Sequence, residues 1–94
     1  MDKQQWIELL VSQGVEAFNQ QRRTTEFSLL DLSHIDFTGM DLGGINLSHV
    51  NLNASQFAFC NLESATLVYA QCIQANFTEA VMGFINAPEA DFTQ

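Results

Sequence analysis

Positive charge is scarce in this chain of 94 residues, which has three basic side chains against eleven acidic ones and a formal net charge of −8. The three basic residues, Lys3, Arg22 and Arg23, lie within the first 24 residues, where acidic residues balance them. Residues 25–94 contain no Lys or Arg. Because proteins bind nucleic-acid phosphates mainly through Lys and Arg, this composition argues against direct binding of nucleic acid.

Cysteine and long apolar runs are also scarce. Two cysteines, Cys60 and Cys72, do not make a disulfide framework, and we expect both to be free, buried thiols. No run approaches the roughly 18 apolar residues of a membrane span. The N-terminus lacks the basic start, apolar stretch and cleavage site of a signal peptide, so we expect a cytoplasmic protein.

Residues suited to catalysis or metal binding are few and badly placed for it. His34 and His49 are 15 residues apart, and no Cys or His pair has the spacing of a zinc site. No glycine-rich phosphate loop follows a strand pattern, since Gly43 and Gly44 have the composition of a turn. We therefore expect no enzymatic activity, no cofactor and no metal.

A large residue recurs at every fifth position from Phe27 to Phe92, interrupted only by Cys72 and Ala87. A second, mostly apolar series lies two residues earlier, from Leu30 to Ala90. Neither a helix, with period 3.6, nor a flat strand, with period 2, produces a period of five, so the pattern indicates a coiled repeat. In each unit the first and third residues are apolar and the second polar, which is typical of a short extended segment. The fourth and fifth positions have turn composition.

Fourteen such units run from Thr25 to the last residue, and they resemble the A-(D/N)-L-x-x units of the pentapeptide-repeat family. The first residues of the early units are bulkier than that pattern, and Val81 stands where a polar residue is usual. The resemblance implies an all-β solenoid, a right-handed quadrilateral parallel β-helix with four units per coil and about 3.5 coils. Twenty residues per coil would stack Phe37, Phe57 and Phe77 inside one wall.

Residues 1–24 lack the repeat and are predicted to form a helical cap on the β-helix of residues 25–94. Asp2 and Gln5 resemble a capping box, and Gly14 is a predicted break in the helix. An apolar stripe at helical spacing is expected to face the core, with Trp6 and Leu10 beside it: Ile7, Val11, Val15 and Phe18. The segment from Gly14 to Arg23 resembles the lead-in of some bacterial pentapeptide proteins. A membrane-surface helix is the alternative.

Two surface features are candidate sites. The first, the acidic girdle, consists of second-position acids in the first four units, one per wall: Glu26, Asp31, Asp36 and Asp41. The second, the apolar patch, is a candidate protein-binding site of outward-pointing residues at fourth and fifth positions: Val68, Tyr69, Ile73 and Phe84. Phe59 is a further apolar residue at a fifth position.

The expected function is a non-enzymatic protein-interaction or scaffold module, whose protein partner the sequence does not identify. The alternative follows from the resemblance: some pentapeptide proteins mimic duplex DNA and engage type II topoisomerases. The C-terminal coil, which contains Ala90 and Phe92, would present an open edge. We expect that edge to associate, either in a homodimer or by docking to further protein.

Overall fold

A computed structural model describes residues 1–25 and 28–94, and it begins with one helix, α1 (Lys3–Arg23). The capping box is confirmed: Asp2 Oδ1 accepts the Gln5 N–H at 2.8 Å, and Gln5 Oε1 accepts the Asp2 N–H at 2.8 Å. The predicted break is also confirmed, because Gly14 has φ +90° and ψ −178° in the middle of the helix.

The buried face of α1 differs from the predicted stripe. Trp6, Leu10 and Phe18 are buried, whereas Val11 is 68% exposed and Ile7 and Val15 are only half-buried. Trp6 and Leu10 are four residues apart before the break at Gly14, and Phe18 and Arg22 are four residues apart after it. The prediction of Val11 as a core residue was therefore wrong, because the helix packs on the row beside it.

The repeat region pairs residues that are twenty apart. Strand β1 (Leu30–Asp31) is parallel to strand β2 (Val50–Asn51), with Leu30 opposite Val50. Isolated parallel bridges continue the same register, from Asp36 with Gln56 to Gln71 with Asp91. The predicted twenty-residue coil is thus observed in the backbone pairing. The strands remain short because the chain turns again after every extended segment.

Hydrogen bonds repeat from unit to unit, as those of the unit of residues 35–39 illustrate. A third-position N–H donates to a second-position carbonyl one coil later, as Phe37 N donates to Gln56 O at 2.8 Å. A second-position N–H donates to the previous coil, as Gln56 N donates to Ile35 O at 2.9 Å. A first-position N–H closes the turn before it, as Met40 N donates to Phe37 O at 3.0 Å. We call the extended part of each unit a wall and the turn a corner.

The interior of the column is filled by the first and third residues of the units. The predicted ladder is confirmed: the rings of Phe37 and Phe57 stack at 4.9 Å, and those of Phe57 and Phe77 at 5.0 Å. Cys60 and Cys72 are buried free thiols, as expected. Burial declines in the last coil, where Phe77 is half-buried and Phe92 is 37% exposed.

The corners require left-handed backbone. From His34 to Glu89 every fifth-position residue has a φ between +56° and +74°, and only Gly39 and Gly44 among them are glycines. Most L-residues adopt this region at a cost of roughly 1–2 kcal/mol. The hydrogen-bonded coil therefore imposes a conformation that the local sequence does not favour.

Candidate functional site

The acidic girdle lies on the surface, with Asp31, Asp36 and Asp41 exposed, while Glu26 is outside the described residues. Each of these carboxylates accepts the backbone N–H two residues later, from Ser33 at 2.9 Å, Thr38 at 2.9 Å and Gly43 at 3.2 Å. The same bond is made by second-position amides at Asn46, Asn51, Asn61 and Asn76. The second-position oxygen therefore holds the turn that follows, whether or not it is charged.

The hydrogen bonds of the turns also lower the pKa of second-position carboxylates. Hydrogen bonds from the Ser33 hydroxyl and N–H lower the pKa of Asp31, and those from Thr38 lower the pKa of Asp36 in the same way. Asp91 in the last unit has its pKa lowered by Thr93. The sequence shows the preference for Asp or Asn at second positions, but sequence reasoning interpreted it as surface charge and missed the bond to the turn.

The residues of the apolar patch lie on more than one corner. Val68 and Tyr69 are neighbours on one corner, and Ile73 lies on the next corner. Phe84 is 87% exposed and fifteen residues from Tyr69, so a different corner carries it. Val68 and Ile73 are half-buried, whereas Tyr69 is 56% exposed. Of the four residues, only Val68 and Tyr69 share a corner.

Tyr69 has a partner that sequence reasoning did not identify. Its ring stacks on that of His49, one coil earlier, with centroids 5.3 Å apart and an interplanar angle of 21°. The two residues are twenty apart, so the period of the coil was the signal that could have paired them. This stack holds the Tyr69 ring against the corner instead of leaving it free in solvent.

An open pocket of about 450 Å³ lies beside this corner, between the C-terminal part of α1 and the neighbouring wall. The helix contributes Asn19 and Arg23, and the repeat contributes Gly44, Asn46, Ser48, His49, Thr66 and Val68. Arg23 is exposed, so the pocket carries a positive charge on an otherwise acidic molecule. We call Arg23, His49, Val68 and Tyr69 the corner surface. The sequence alone does not show this pocket, because it depends on where the helix lies.

Two polar side chains of α1 attach the helix to the first coil. Arg22 is 1% exposed, and its guanidinium donates to the carbonyl oxygens of Thr25, Ser28 and Ser48 at 3.0–3.2 Å. Asn19 Nδ2 donates to Gly44 O at 3.0 Å, and Asn19 Oδ1 accepts the Asn46 N–H at 2.8 Å. Asn19 thus takes the place that an earlier coil would occupy, and sequence reasoning had identified neither role.

The described residues offer little else for chemistry. Across residues 1–25 and 28–94 no group of three or more His, Cys, Asp or Glu side chains could hold a metal ion. Burial raises the pKa of the Cys60 thiol and raises the pKa of Cys72 to about 12, so neither is a thiolate near neutral pH. No helix in the described ranges is both long and apolar enough to cross a membrane.

Comparison with known families agrees with the geometry. The family model for pentapeptide repeats matches in eight copies over residues 31–67 and 55–94. This covers more than half of the chain, which therefore belongs to the pentapeptide-repeat family. Members of this family generally form a β-helix, in agreement with the parallel pairing of residues twenty apart. No match is found among curated proteins.

Proposed function

We propose that this protein is a non-enzymatic protein-interaction or scaffold module that binds its partner through the corner surface. The observation that supports this proposal is the aromatic ring of Tyr69, exposed yet held in place by its stack on His49. A rigid aromatic side chain loses little conformational entropy on binding, and tyrosine is among the residues that dominate binding energies at interfaces.

The chemistry of the corner surface defines the partner. Val68 and Tyr69 supply apolar contact, and Arg23 supplies a positive charge at the rim of the adjacent pocket. A protein segment with an acidic side chain next to an apolar one would match both. The rest of the repeat surface lacks basic residues, so it would repel such a segment and favour binding at this corner.

The proposal also covers the handedness of the coil, the number of coils, the cap and the location of the protein. We infer a right-handed coil, about 3.5 turns of it over residues 25–94, capped by residues 1–24. A short rigid column of this kind suits a module that presents surface without moving. A cytoplasmic location fits a chain with free, buried thiols.

DNA mimicry toward a type II topoisomerase is the second candidate. The observation that favours it is the complete absence of Lys and Arg from residues 25–94. The described girdle acids, however, lie one per wall around a single coil, whereas a duplex carries its phosphates along two tracks. Interaction through the corner surface remains the better supported proposal.

Site-specific photo-crosslinking from position 69, followed by binding measurements with the purified partner, tests the first candidate. We expect Tyr69→Ala to weaken binding at least tenfold and Phe59→Ala to change it less than twofold. Phe59 is the matched control because it is similarly exposed, at 64%, on another corner. Equal losses for both variants would contradict the proposal.

A supercoiling assay with a purified type II topoisomerase tests the second candidate. Mimicry predicts inhibition by the wild-type protein and its loss in the triple variant Asp31→Asn, Asp36→Asn, Asp41→Asn. These substitutions keep the turn-forming oxygen and remove only charge. Absence of inhibition would exclude mimicry toward the enzyme assayed and leave the corner-surface proposal intact.

A further inference from the structure

One wall of the column carries polar side chains whose hydrogen-bonding groups are unused. Its second-position residues are Asn46, Thr66 and Asn86, which parallel bridges place in successive coils. Asn46 Oδ1 accepts the Ser48 N–H, but Asn46 Nδ2 and the Thr66 hydroxyl have no hydrogen-bond partner in the described part of the chain. The Asn86 side chain has none there either, and Pro88, two positions later, lacks the N–H that would close the turn. We call this wall the junction wall.

The other walls use their second-position side chains differently. Asn61 Nδ2 donates to Asp41 Oδ1 at 3.0 Å, and Asn76 Nδ2 donates to Gln56 Oε1 at 3.0 Å, so these side chains bond from one coil to the next. The remaining wall has an aspartate in its first and in its last coil. The junction wall is therefore the one whose described second positions are all uncharged hydrogen-bonding residues.

The junction wall meets α1 at the pocket described above. Asn19 occupies the place of an earlier coil there, so the helix closes one end of the wall. Asn46 and Thr66 form the floor of the pocket, and Val68 lies on the corner along one side. Gly44 lies on the opposite corner, where a Cβ would meet nothing within 4 Å. The result is a groove with a polar floor, one low side and one apolar side.

We propose that the junction wall binds an extended segment of a partner protein through the main chain of that segment. This mode of binding rests on the proposed function, since it describes how the partner meets the corner surface. A main-chain carbonyl of the segment accepts from Asn46 Nδ2, and a main-chain N–H donates to the Thr66 hydroxyl. The two residues lie in neighbouring coils, about 4.8 Å apart, a separation that adjacent peptide groups of one extended chain can match.

The sides of the groove select the side chains of the segment. Arg23 is exposed at the closed end, and the described residues that line the pocket include no acid, so a carboxylate fits there. Val68 and Tyr69 offer apolar contact further along. Alternate side chains of an extended segment lie on the same side, roughly 6.6–6.8 Å apart. The segment therefore carries an acidic residue and, two positions along, a large apolar residue.

The shape of the groove predicts a weak, specific interaction. The pocket volume of about 450 Å³ is in the lower part of the range of roughly 300–1,000 Å³ for ligand pockets, and the groove is open to solvent. A disordered segment also loses conformational entropy when it binds. A single segment should therefore bind with a dissociation constant of about 10–500 μM.

Selection from a phage-displayed library of random peptides, followed by fluorescence polarisation with a selected synthetic peptide, tests the proposal. We expect the selected peptides to share an acidic residue two positions from a large apolar one. Thr66→Val removes the hydroxyl and keeps the shape, and it should weaken binding at least fivefold. Thr38→Val makes the same exchange at a corner on a different wall and should change binding less than twofold. A library without binders below about 1 mM, or equal effects of the two variants, would overturn the proposal.

The charge at the closed end has its own matched pair of variants. Arg23→Gln should weaken binding of the same peptide at least fivefold, whereas Lys3→Gln removes a charge at the opposite end of α1 and should change it less than twofold. Replacing the acidic residue of the peptide by its amide should weaken binding to the wild type but not to Arg23→Gln. An equal loss for both proteins would contradict the contact with Arg23.

Nuclear magnetic resonance provides a measurement that does not depend on a variant. Adding the peptide should shift the side-chain NH₂ signals of Asn46 and the backbone amide of Thr66. The side-chain NH₂ signals of Asn61 and Asn76, on other walls, should stay in place. Shifts confined to those other walls would contradict the proposal.

The partner recovered by crosslinking from position 69 separates this inference from the proposed function. If Tyr69→Ala weakens binding of that partner while Thr66→Val and Arg23→Gln do not, the corner surface binds a folded face and the extended segment is excluded. If Tyr69→Ala leaves binding of the partner unchanged, both proposals fail. Losses for all three variants, with Thr38→Val unaffected, are the expected result.

Discussion

At the scale of single residues, two positions of the unit form the corners. The second position supplies a side-chain oxygen that accepts the N–H of the fourth, as Asp36 does for Thr38. The fifth position takes a left-handed backbone conformation, which is why glycine fits there at Gly39 and Gly44. The other fifth positions carry side chains under backbone strain, which the pairing between coils compensates.

The left-handed corners predict opposite effects of exchanging glycine for a side chain. Gly39→Ala should lower the free energy of unfolding by about 1 kcal/mol, because a Cβ at Gly39 touches nothing and only the backbone cost remains. Ser64→Gly, at an exposed fifth position with φ +60°, should raise it by up to about 1 kcal/mol. Urea unfolding measures both. Ser64→Ala is the control and should be nearly neutral; stabilisation equal to that of Ser64→Gly would contradict the explanation.

The lowered pKa of Asp36 predicts how acid affects stability. Its pKa is below the ordinary value of 3.8, so the folded state favours the carboxylate more than the unfolded state does. The contribution is therefore fully present above the unfolded pKa and is lost as pH falls through the lower, folded one. Between about pH 5 and pH 2, the wild type should lose more stability than Asp36→Asn, whose amide oxygen keeps the bond to Thr38. Equal pH dependence of the two urea midpoints would show that the carboxylate does not make this bond in solution.

At the scale of elements, α1 and the extended walls have different sources of stability. The walls are too short to be stable alone and depend on the coils on either side. The helix adds the missing neighbour of the first coil, through Asn19, Arg22 and its buried apolar row. A repeat protein needs such a cap because its first unit would otherwise expose core and edge groups.

The capping bonds of Asn19 can be tested separately from the rest of the helix. Asn19→Ala should cost about 1 kcal/mol, because Gly44 O and the Asn46 N–H lose partners at a half-buried position. Gln20→Ala, at the exposed neighbouring residue, should stay within about 0.5 kcal/mol of the wild type. Thermal unfolding followed by circular dichroism measures the difference.

Deleting residues 1–22 should have a larger effect than Asn19→Ala and produce aggregation or partial unfolding. A deletion variant as stable and monodisperse as the wild type would refute the capping role.

The phenylalanine ladder predicts a gradient of cost along one wall. Phe57 is fully buried between two rings, so Phe57→Ala should cost about 3–5 kcal/mol. Phe77 is half-buried and lies against Phe57 and the partly exposed Phe92, so Phe77→Ala should cost less. Chemical denaturation of both variants gives the comparison. A loss below about 1 kcal/mol for Phe57→Ala would mean that this ring is not packed in solution.

At the scale of the whole molecule, stability is expected to be uneven along the column. Contacts in a solenoid connect each coil only to its neighbours, so opening can begin at an end and progress inward. The end covered by α1 has a buried arginine and three buried apolar side chains, whereas the last coil has its core side chains partly exposed. The last coil should therefore open first.

The two cysteines report this order of opening. Both thiols are buried, so labelling requires local opening, and the same burial raises their pKa values. Cys72 is the third residue of its unit, and Phe92 occupies the same position one coil later, in the final unit. Cys60 lies further from that end of the column. In single-thiol variants, Cys72 should react with a thiol reagent faster than Cys60 at low protein concentration. Equal rates would indicate that the column opens as one unit.

Much of the fold could be predicted because the decisive signals are local and repeated. A period of five requires a turn in every unit, and twenty residues per coil, implied by the family resemblance, pair Phe37 with Phe57 and Asp36 with Gln56. The capping box of Asp2 and Gln5 and the break at Gly14 are likewise short-range features. The candidate site was less predictable: Tyr69 was identified, but its stack on His49 and the pocket beside Arg23 were not.

The sequence by itself determined the repeat, the corners and the filled interior, because side-chain alternation and turn composition act within a few residues of one another. Only the tertiary structure decided which row of α1 is buried, leaving Val11 exposed and Arg22 enclosed. It also placed the pocket between α1 and the corner surface. These outcomes depend on where the helix rests against the first coil and on distances across the column. Such relations arise from packing between elements that are distant along the chain, and no local pattern specifies them.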